Sequence, residues 1–172
     1  NLERNASFFA SSTLIILAGI FTVLGSSDRA MSLLADLPMV VQATQSVSEL
    51  KLLGLAIVFV YAFFTFSWCM RQYNFAAVLV VGLGCEANQL NVTDAERQAF
   101  AMRTARVISM AANTFNFGLR AYYFGMATLA WFINPWFFML VTAGVVLVLY
   151  QREFHSDVLA VMGYTPTPES EA

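Results

Sequence analysis

Polar residues recur at helical spacing in an otherwise apolar part of the chain. Arg106, Asn113 and Arg120 lie seven residues apart, and Asn116 lies between the last two. Residues seven apart share one face of an α-helix because seven residues make about two turns. Guanidinium groups bind phosphate or carboxylate through paired hydrogen bonds, and asparagine amides can complete the coordination. The spacing therefore predicts an anion site on this helix face.

Other polar residues are expected at a similar depth on other helices. Arg71 closes the uncharged stretch 52–70, and Arg152 follows the last apolar block. Arg120 precedes the Asn134–Pro135 pair by about 21 Å of helix, and Arg152 follows it by about 26 Å. We therefore expect a site for a small anion or a lipid headgroup, formed by Arg71, Asn74, Arg106, Asn113, Asn116, Arg120 and Arg152. The alternative is that each arginine extends to ordinary lipid phosphates without a dedicated ligand.

The sequence contains no recognisable catalytic set. No nucleophile is accompanied by a base, and no phosphate-binding loop or metal-ligand cluster is present. The single histidine, His155, cannot by itself form a zinc or bis-histidine haem site. Lysine is scarce and the arginines are dispersed, which argues against nucleic acid as a partner. We expect a protein that is not an enzyme and that uses no metal or cofactor.

Composition indicates a membrane protein. Of the 172 residues, 59% are hydrophobic and only 12% are charged, whereas soluble domains carry about 25% charged residues. From Val107 to Gln151 the only charged residue is Arg120. So few charges cannot cover a surface that faces water, so we expect lipid to cover much of it.

The apolar blocks predict an all-α fold, an integral membrane helical bundle of four spans. Asn134–Pro135 separates the last two spans, because proline interrupts a helix and disfavours helix in the residue before it. The predicted spans are about 8–25, 52–71, 114–133 and 136–151. With the hairpin described next they form a single domain, 1–162, and we expect residues 163–172 to form a disordered tail.

A helical hairpin is predicted between the second and third spans, at about 72–113. Nothing interrupts the helix after Arg71, and Thr93-Asp94-Ala95-Glu96 matches a capping box that opens the next helix. The alternative is that 75–84 re-enters the bilayer. Seven positive residues are expected on the hairpin side and only Arg29 and Lys51 on the other. The hairpin and the C-terminus are therefore expected in the cytoplasm.

Small residues and cysteines complete the predicted packing. Gly118 and Gly125 are seven residues apart, which predicts a smooth stripe on the third span for close helix packing. Cys69 and Cys85 would be separated by about 24 Å on one helix, too far for a disulfide. We expect both thiols to be free.

Four sequence blocks resemble a family of bacterial integral inner-membrane proteins designated domain of unknown function five-nine-nine. The blocks are RNASFFASSTLIILAG, ELKLLGLAIVFVYAFFTFSWCMRQYNF, FGLRAYYFGMATLAWFINPWFFM and VLVLYQREF. The resemblance implies a multi-span inner-membrane protein with no assigned activity, so it supplies no catalytic residues. Family members generally have a further apolar helix upstream, so we expect an N-terminal segment to be missing here.

Two functions are favoured from the sequence, because a third, an enzyme acting on lipid, would need a base or nucleophile that the sequence does not show. The first, which we prefer, is a non-enzymatic accessory or assembly subunit of a membrane oligomer or larger complex, with membrane lipids and other subunits as its partners. The second is an oligomeric channel or carrier for anions or lipids that uses the arginine and asparagine site. Both place the protein in the bacterial inner membrane as a multi-pass protein.

Overall fold

The computed structural model describes residues 2–26, 45–87 and 93–154, and nearly all of these residues are helical. The four helices are α1 (Leu2–Gly25), α2 (Gln45–Ala87), α3 (Asp94–Ile133) and α4 (Pro135–Phe154). This confirms the all-α prediction. The side chains of 83–87 and 152–154, including that of Cys85, lie outside the described part. So do His155, Arg29 and the predicted tail at 163–172.

Helices α2 and α3 are much longer than a bilayer is thick. Helix α2 has 43 residues and α3 has 40, so they extend about 65 and 60 Å, against a hydrocarbon thickness of about 30 Å. Helix α2 is unbroken from the apolar segment 52–71 through 72–87. Helix α3 is likewise unbroken from 94–113 into 114–133.

Helix α2 is the centre of the bundle. It packs against both α1 and α3, while α4 packs against α3. The pairs are antiparallel, since Ala6 at the start of α1 clusters with Cys69 and Tyr73 late in α2 and with Ala111 early in the apolar part of α3. At the other end, Leu17 clusters with Leu55. The core therefore runs as a narrow strip along the length of the bundle.

The interface between α2 and α3 follows a seven-residue period. Buried residues of α3 include Thr104, Ala111, Gly118 and Gly125. Buried residues of α2 recur at intervals of three and four: Leu55, Phe59, Ala62, Phe66, Cys69, Tyr73 and Ala76. A seven-residue repeat keeps one seam of each helix facing its partner along the whole contact.

Gly118 and Gly125 allow α2 and α3 to approach closely, as their seven-residue spacing predicted. A Cβ atom at Gly118 would lie 2.6 Å from Cε1 of Phe66, and one at Gly125 would lie 2.9 Å from Cζ of Phe59. Phe66 is fully buried and its ring stacks on Phe9 of α1 at 5.2 Å. Each glycine of α3 thus makes room for a phenylalanine ring of α2 that also contacts α1.

Polar side chains connect the helices inside the strip. Tyr122 Oη of α3 donates to the carbonyl of Phe9 at 3.0 Å and lies 2.8 Å from Thr13 Oγ1. Thr13 also donates to Phe9, one turn earlier on its own helix. Cys69, which is a free thiol, donates to the carbonyl of Ala111. The Thr13 hydroxyl and the Cys69 thiol are fully buried, and these bonds provide each of them with a partner on another helix.

Many large apolar side chains of this protein lie on its surface. The largest fully buried side chains are Phe66, Thr13 and Cys69. Large apolar side chains point outward instead, and Ile15, Leu140 and Trp136 are 70–78% exposed. Among the described helices, Glu3–Gly25 and Ser46–Gly82 are long and apolar enough to cross a membrane, and Pro135–Gln151 is apolar but shorter. Exposed apolar area on this scale is typical of a surface that contacts a membrane or other proteins.

Candidate functional site

The outward face of α3 carries a polar groove. Arg106, Asn113 and Asn116 line it together with Ser109, Met110 and Ala112, and its volume is about 490 Å³. Ser109 was not singled out from the sequence, although its position three residues after Arg106 and four before Asn113 places it on the same helix face. We call these six residues the α3 groove.

The packing of α3 determines where the groove points. Thr104, Ala111 and Gly118 face α2, and Arg106, Asn113 and Arg120 each follow one of them by two residues. Two residues turn an α-helix by about 200°, so the polar line faces away from α2. Arg106 and Asn113 are accordingly exposed.

Helix α4 ends near the height of the α3 groove. Trp131 of α3 stacks on Phe138 of α4, and the two helices run antiparallel from the single-residue joint at Asn134. Counted from that joint at about 1.5 Å per residue, α4 ends level with residue 115 of α3. The α3 groove therefore begins where α4 ends.

Arg120 lies next to the groove and does not line it. It is half-buried, one turn above Asn116, and its guanidinium lies 5.4 Å from the ring of Phe117. Arg120 is thus the least exposed of the three residues that recur at seven-residue spacing.

Arg71 and Asn74 lie on another surface. The guanidinium of Arg71 lies over the rings of Trp68 and Phe75, at 5.8 and 5.6 Å, on its own helix. Arg71 is two residues from both Cys69 and Tyr73, which are buried, so it points away from the core. Neither it nor Asn74 lines the groove.

The packing of Phe66 against Gly118 places Arg71 about 10 Å along the bundle axis from Arg120. Cys69, a neighbour of Arg71, bonds to Ala111 of α3, which places Arg71 level with the groove but on a different face. Arg152 lies in α4 about 26 Å after Pro135, and its side chain is outside the described part. Of the seven predicted site residues, the structure thus brings Arg106, Asn113 and Asn116 into one groove.

Lys51 is a site residue that the sequence interpretation treated only as a positive charge. The residue is 8% exposed, and its ammonium donates to the carbonyl of Trp131 at 3.1 Å. It also lies 5.2 Å from the ring of Trp131 and 5.8 Å from that of Phe132. Trp131 is in the last turn of α3, where carbonyl groups have no partner within the helix. The signal in the sequence was a lone lysine at the start of an apolar span.

The described lining residues of the α3 groove are suited to binding an anion. They provide guanidinium, amide and hydroxyl donors, and none of the six is a carboxylate, imidazole or thiol. In the described ranges, no three residues of the types His, Cys, Asp and Glu are grouped to hold a metal ion. The donors of the described lining residues can form hydrogen bonds to a negatively charged group.

Comparison with known families identifies one match. The model of the family described as protein of unknown function, DUF599, matches residues 1–158. Comparison with curated proteins and with solved structures gives no match. The matched range includes all four helices and the α3 groove, and it agrees with the resemblance found in the sequence blocks. The chain therefore belongs to the DUF599 family of proteins of unknown function.

Proposed function

We propose that this protein crosses the bacterial inner membrane four times and serves as a non-enzymatic subunit of a membrane oligomer or larger complex. The four spans are α1, residues 52–71 of α2, residues 114–133 of α3, and α4. Residues 72–87 and 94–113 form a hairpin of two arms that extends into the cytoplasm.

The lengths of the helices support four spans. The apolar part of α4, Pro135–Gln151, has 17 residues, which gives about 26 Å and lies at the lower limit for crossing the hydrocarbon. It is joined to α3 by Asn134 alone, so a membrane crossed by α4 must also be crossed by the adjacent part of α3. Trp136, at the turn, is 78% exposed, as expected for an interfacial tryptophan.

The observation that carries the subunit role is an apolar face on the α2 arm. Phe75, Val78 and Val81 follow one another at intervals of three and are 52–71% exposed. They lie beyond Arg71, at the position where the span is proposed to leave the hydrocarbon. Apolar side chains exposed beyond the hydrocarbon in this way are typical of a protein–protein interface. We call these three residues the arm face.

The distribution of charge supports the orientation. The positive residues assigned to the arm side are Arg4, Arg71, Arg97, Arg103, Arg106, Arg120 and Arg152. Lys51 and Arg29 are assigned to the opposite side. An excess of arginine on one side marks the cytoplasmic face of an inner-membrane protein.

The topology is tested by labelling single cysteines with a membrane-impermeant maleimide. In a Cys85→Ser background, Ala95→Cys should react in inverted vesicles and remain unreactive in spheroplasts, whereas Ile133→Cys should show the opposite pattern. Both residues are exposed in the structure, and Cys69 is buried. The proposed topology has one span between Ala95 and Ile133, which places them on opposite sides of the membrane. Reaction of both cysteines from the same side would contradict this topology.

The subunit role is tested by native mass spectrometry after extraction in a mild detergent. We expect a defined homo-oligomer or a stoichiometric complex with one partner. A lone monomer under these conditions, with the four spans intact, would contradict the proposal.

A second candidate function, passage of anions or lipids, is favoured by the α3 groove alone. The groove lies on the outside of a single helix, so an enclosed path would require a second copy of the chain. Flux of anions or lipids through reconstituted vesicles should then fall at least tenfold in Arg106→Gln. Equal flux with and without the protein would exclude this function.

A further inference from the structure

We propose that the α3 groove binds one phosphate group in the headgroup layer of the membrane, with Arg106 and Asn113 as its main ligands. The proposal rests on the four-span topology proposed above, because that topology sets the depth of the groove. The ligand chemistry is that of a phosphodiester or phosphomonoester anion, and we expect a phospholipid headgroup to be its source.

The depth of the groove supports this ligand. Asn113 precedes Asn134 by 21 residues and Arg106 precedes it by 28, which correspond to about 32 and 42 Å along α3. The hydrocarbon is about 30 Å thick, and the bilayer with its headgroups is about 40–45 Å thick. With the α3–α4 turn at one surface, the groove therefore spans the headgroup layer of the other.

The donors in the groove match a phosphate. Arg106 provides a planar pair of N–H groups, Asn113 and Asn116 each provide an amide, and Ser109 provides a hydroxyl. None of the six described lining residues is a carboxylate that would compete for these donors. Charge-assisted bonds of this kind are about twice as strong as neutral ones.

The surroundings of the groove match a lipid better than a free anion. Met110 and Ala112 give the groove apolar walls, and the groove opens to the side of the bundle. Leu147 and Val148 near the end of α4 and Phe117 on α3 are exposed apolar residues one to three turns above it. Acyl chains of a lipid seated in the groove would extend toward these residues.

Arg71 provides a matched control within the same chain. It lies at the same depth, carries the same charge and is exposed, but it faces a different surface and stacks on Trp68 and Phe75. An arginine that only extends to bulk phospholipid should behave like Arg71. An arginine in a defined site should not.

The experiment titrates delipidated protein with phosphatidylglycerol and counts bound lipid by native mass spectrometry. We expect one retained lipid per chain in the unchanged protein and in Arg71→Gln. Arg106→Gln and Asn113→Leu should each bind it roughly tenfold more weakly, as expected when hydrogen bonds to a charged group are lost. Arg106→Lys, which keeps the charge but loses the paired bonds, should be intermediate.

The outcomes separate the possible sources of the phosphate. Displacement of the lipid by millimolar inorganic phosphate would support the phosphate site with a soluble anion as its ligand. Equal loss of lipid in Arg71→Gln and Arg106→Gln, or no defined stoichiometry, would overturn the proposal. Thermal melts and membrane fractionation of every variant show whether it folds and inserts, so failure of the membrane topology is distinguished from failure of the site.

Discussion

At the scale of single residues, small residues in the core leave space for a few large aromatic side chains. Gly118 and Gly125 each face a phenylalanine of α2, and both rings also contact Tyr122 of α3, at 5.3–5.7 Å between ring centroids. Close packing of this kind is the main attraction available between helices in lipid, where burial of apolar area provides little driving force. The stability of the bundle should therefore depend on the absence of a methyl group at these glycines.

We predict that Gly118→Ala destabilises the protein by about 1–3 kcal/mol, the usual cost of overpacking. The new Cβ would lie 2.6 Å from the ring of Phe66, which is fully buried and cannot move aside without displacing Phe9. Thermal unfolding in detergent micelles measures the change. Gly54→Ala is the control, because nothing lies within 4 Å of a Cβ at that position, and an equal loss in both variants would contradict the prediction.

At the scale of helices, the residues at which α3 and α4 begin could be predicted from neighbouring residues in the sequence. Pro135 ends one helix and starts the next, and Asn134 Oδ1 accepts from the N–H of Trp136. The capping sequence at Thr93 likewise precedes the first residue of α3. These features were predicted from the sequence because each depends on residues that are neighbours in the chain.

The arrangement of the helices around one another was only partly predictable. The seven-residue spacing placed Arg106, Asn113 and Arg120 on one face of α3, but it carried no information about the face of α2 that holds Arg71. That depends on which residues of α2 pack against α3, such as Phe66 against Gly118. Lys51 was missed for the same reason, since its partner Trp131 is 80 residues away.

We predict that the start of α3 weakens in acid because of Glu96. Hydrogen bonds from the backbone N–H and the hydroxyl of Thr93 lower the pKa of this carboxylate. A lowered pKa means that the bonds stabilise the folded state above the ordinary carboxyl pKa of about 4.3 and are lost as the pH falls through the pKa of the folded state. NMR titration of the Glu96 side-chain carbon measures that pKa.

The control for Glu96 is Thr93→Val, which removes the hydroxyl donor and keeps the size of the side chain. The Glu96 midpoint should then rise toward the ordinary value, and the amide signal of Thr93 should lose its pH dependence in part. An unchanged midpoint in this variant would show that the hydroxyl bond contributes nothing to the shift.

We predict that Lys51→Met destabilises the contact between the start of α2 and the end of α3 by about 1–2 kcal/mol. The substitution keeps an apolar stem of similar length but removes the donor to the carbonyl of Trp131 and the charge beside two rings. Lys51→Arg, which can still donate, should retain most of the stability. Thermal unfolding in detergent compares the two, and equal melting temperatures would show that the ammonium contributes nothing.

At the scale of the whole molecule, the unequal lengths of the helices separate two surfaces. Helices α1 and α4, with 24 and 20 residues, are about as long as a bilayer is thick. Helices α2 and α3 are longer, and their additional residues form the proposed arms. Lipid would cover the large side chains around the four spans. The arm face at Phe75, Val78 and Val81 would then remain for another subunit.

We predict that Val78→Glu dissociates the assembly while leaving the monomer folded. Val78 is 71% exposed, so the carboxylate harms no internal packing, but it would be buried without a partner in an interface. Native mass spectrometry should show loss of the oligomer or of the partner. Ala77→Glu, an exposed neighbour about 100° around the helix, is the control, and an intact complex in Val78→Glu would exclude the arm face as the interface.

The joint at Asn134 has a consequence for biosynthesis. One residue between two apolar helices leaves no length of chain that could wait in water while the first helix inserts alone. In the proposed topology, the last two spans would therefore leave the translocation machinery as a pair. Lengthening this joint with a few glycines would allow the two helices to enter separately, and mistargeted or half-inserted chains should then accumulate during expression.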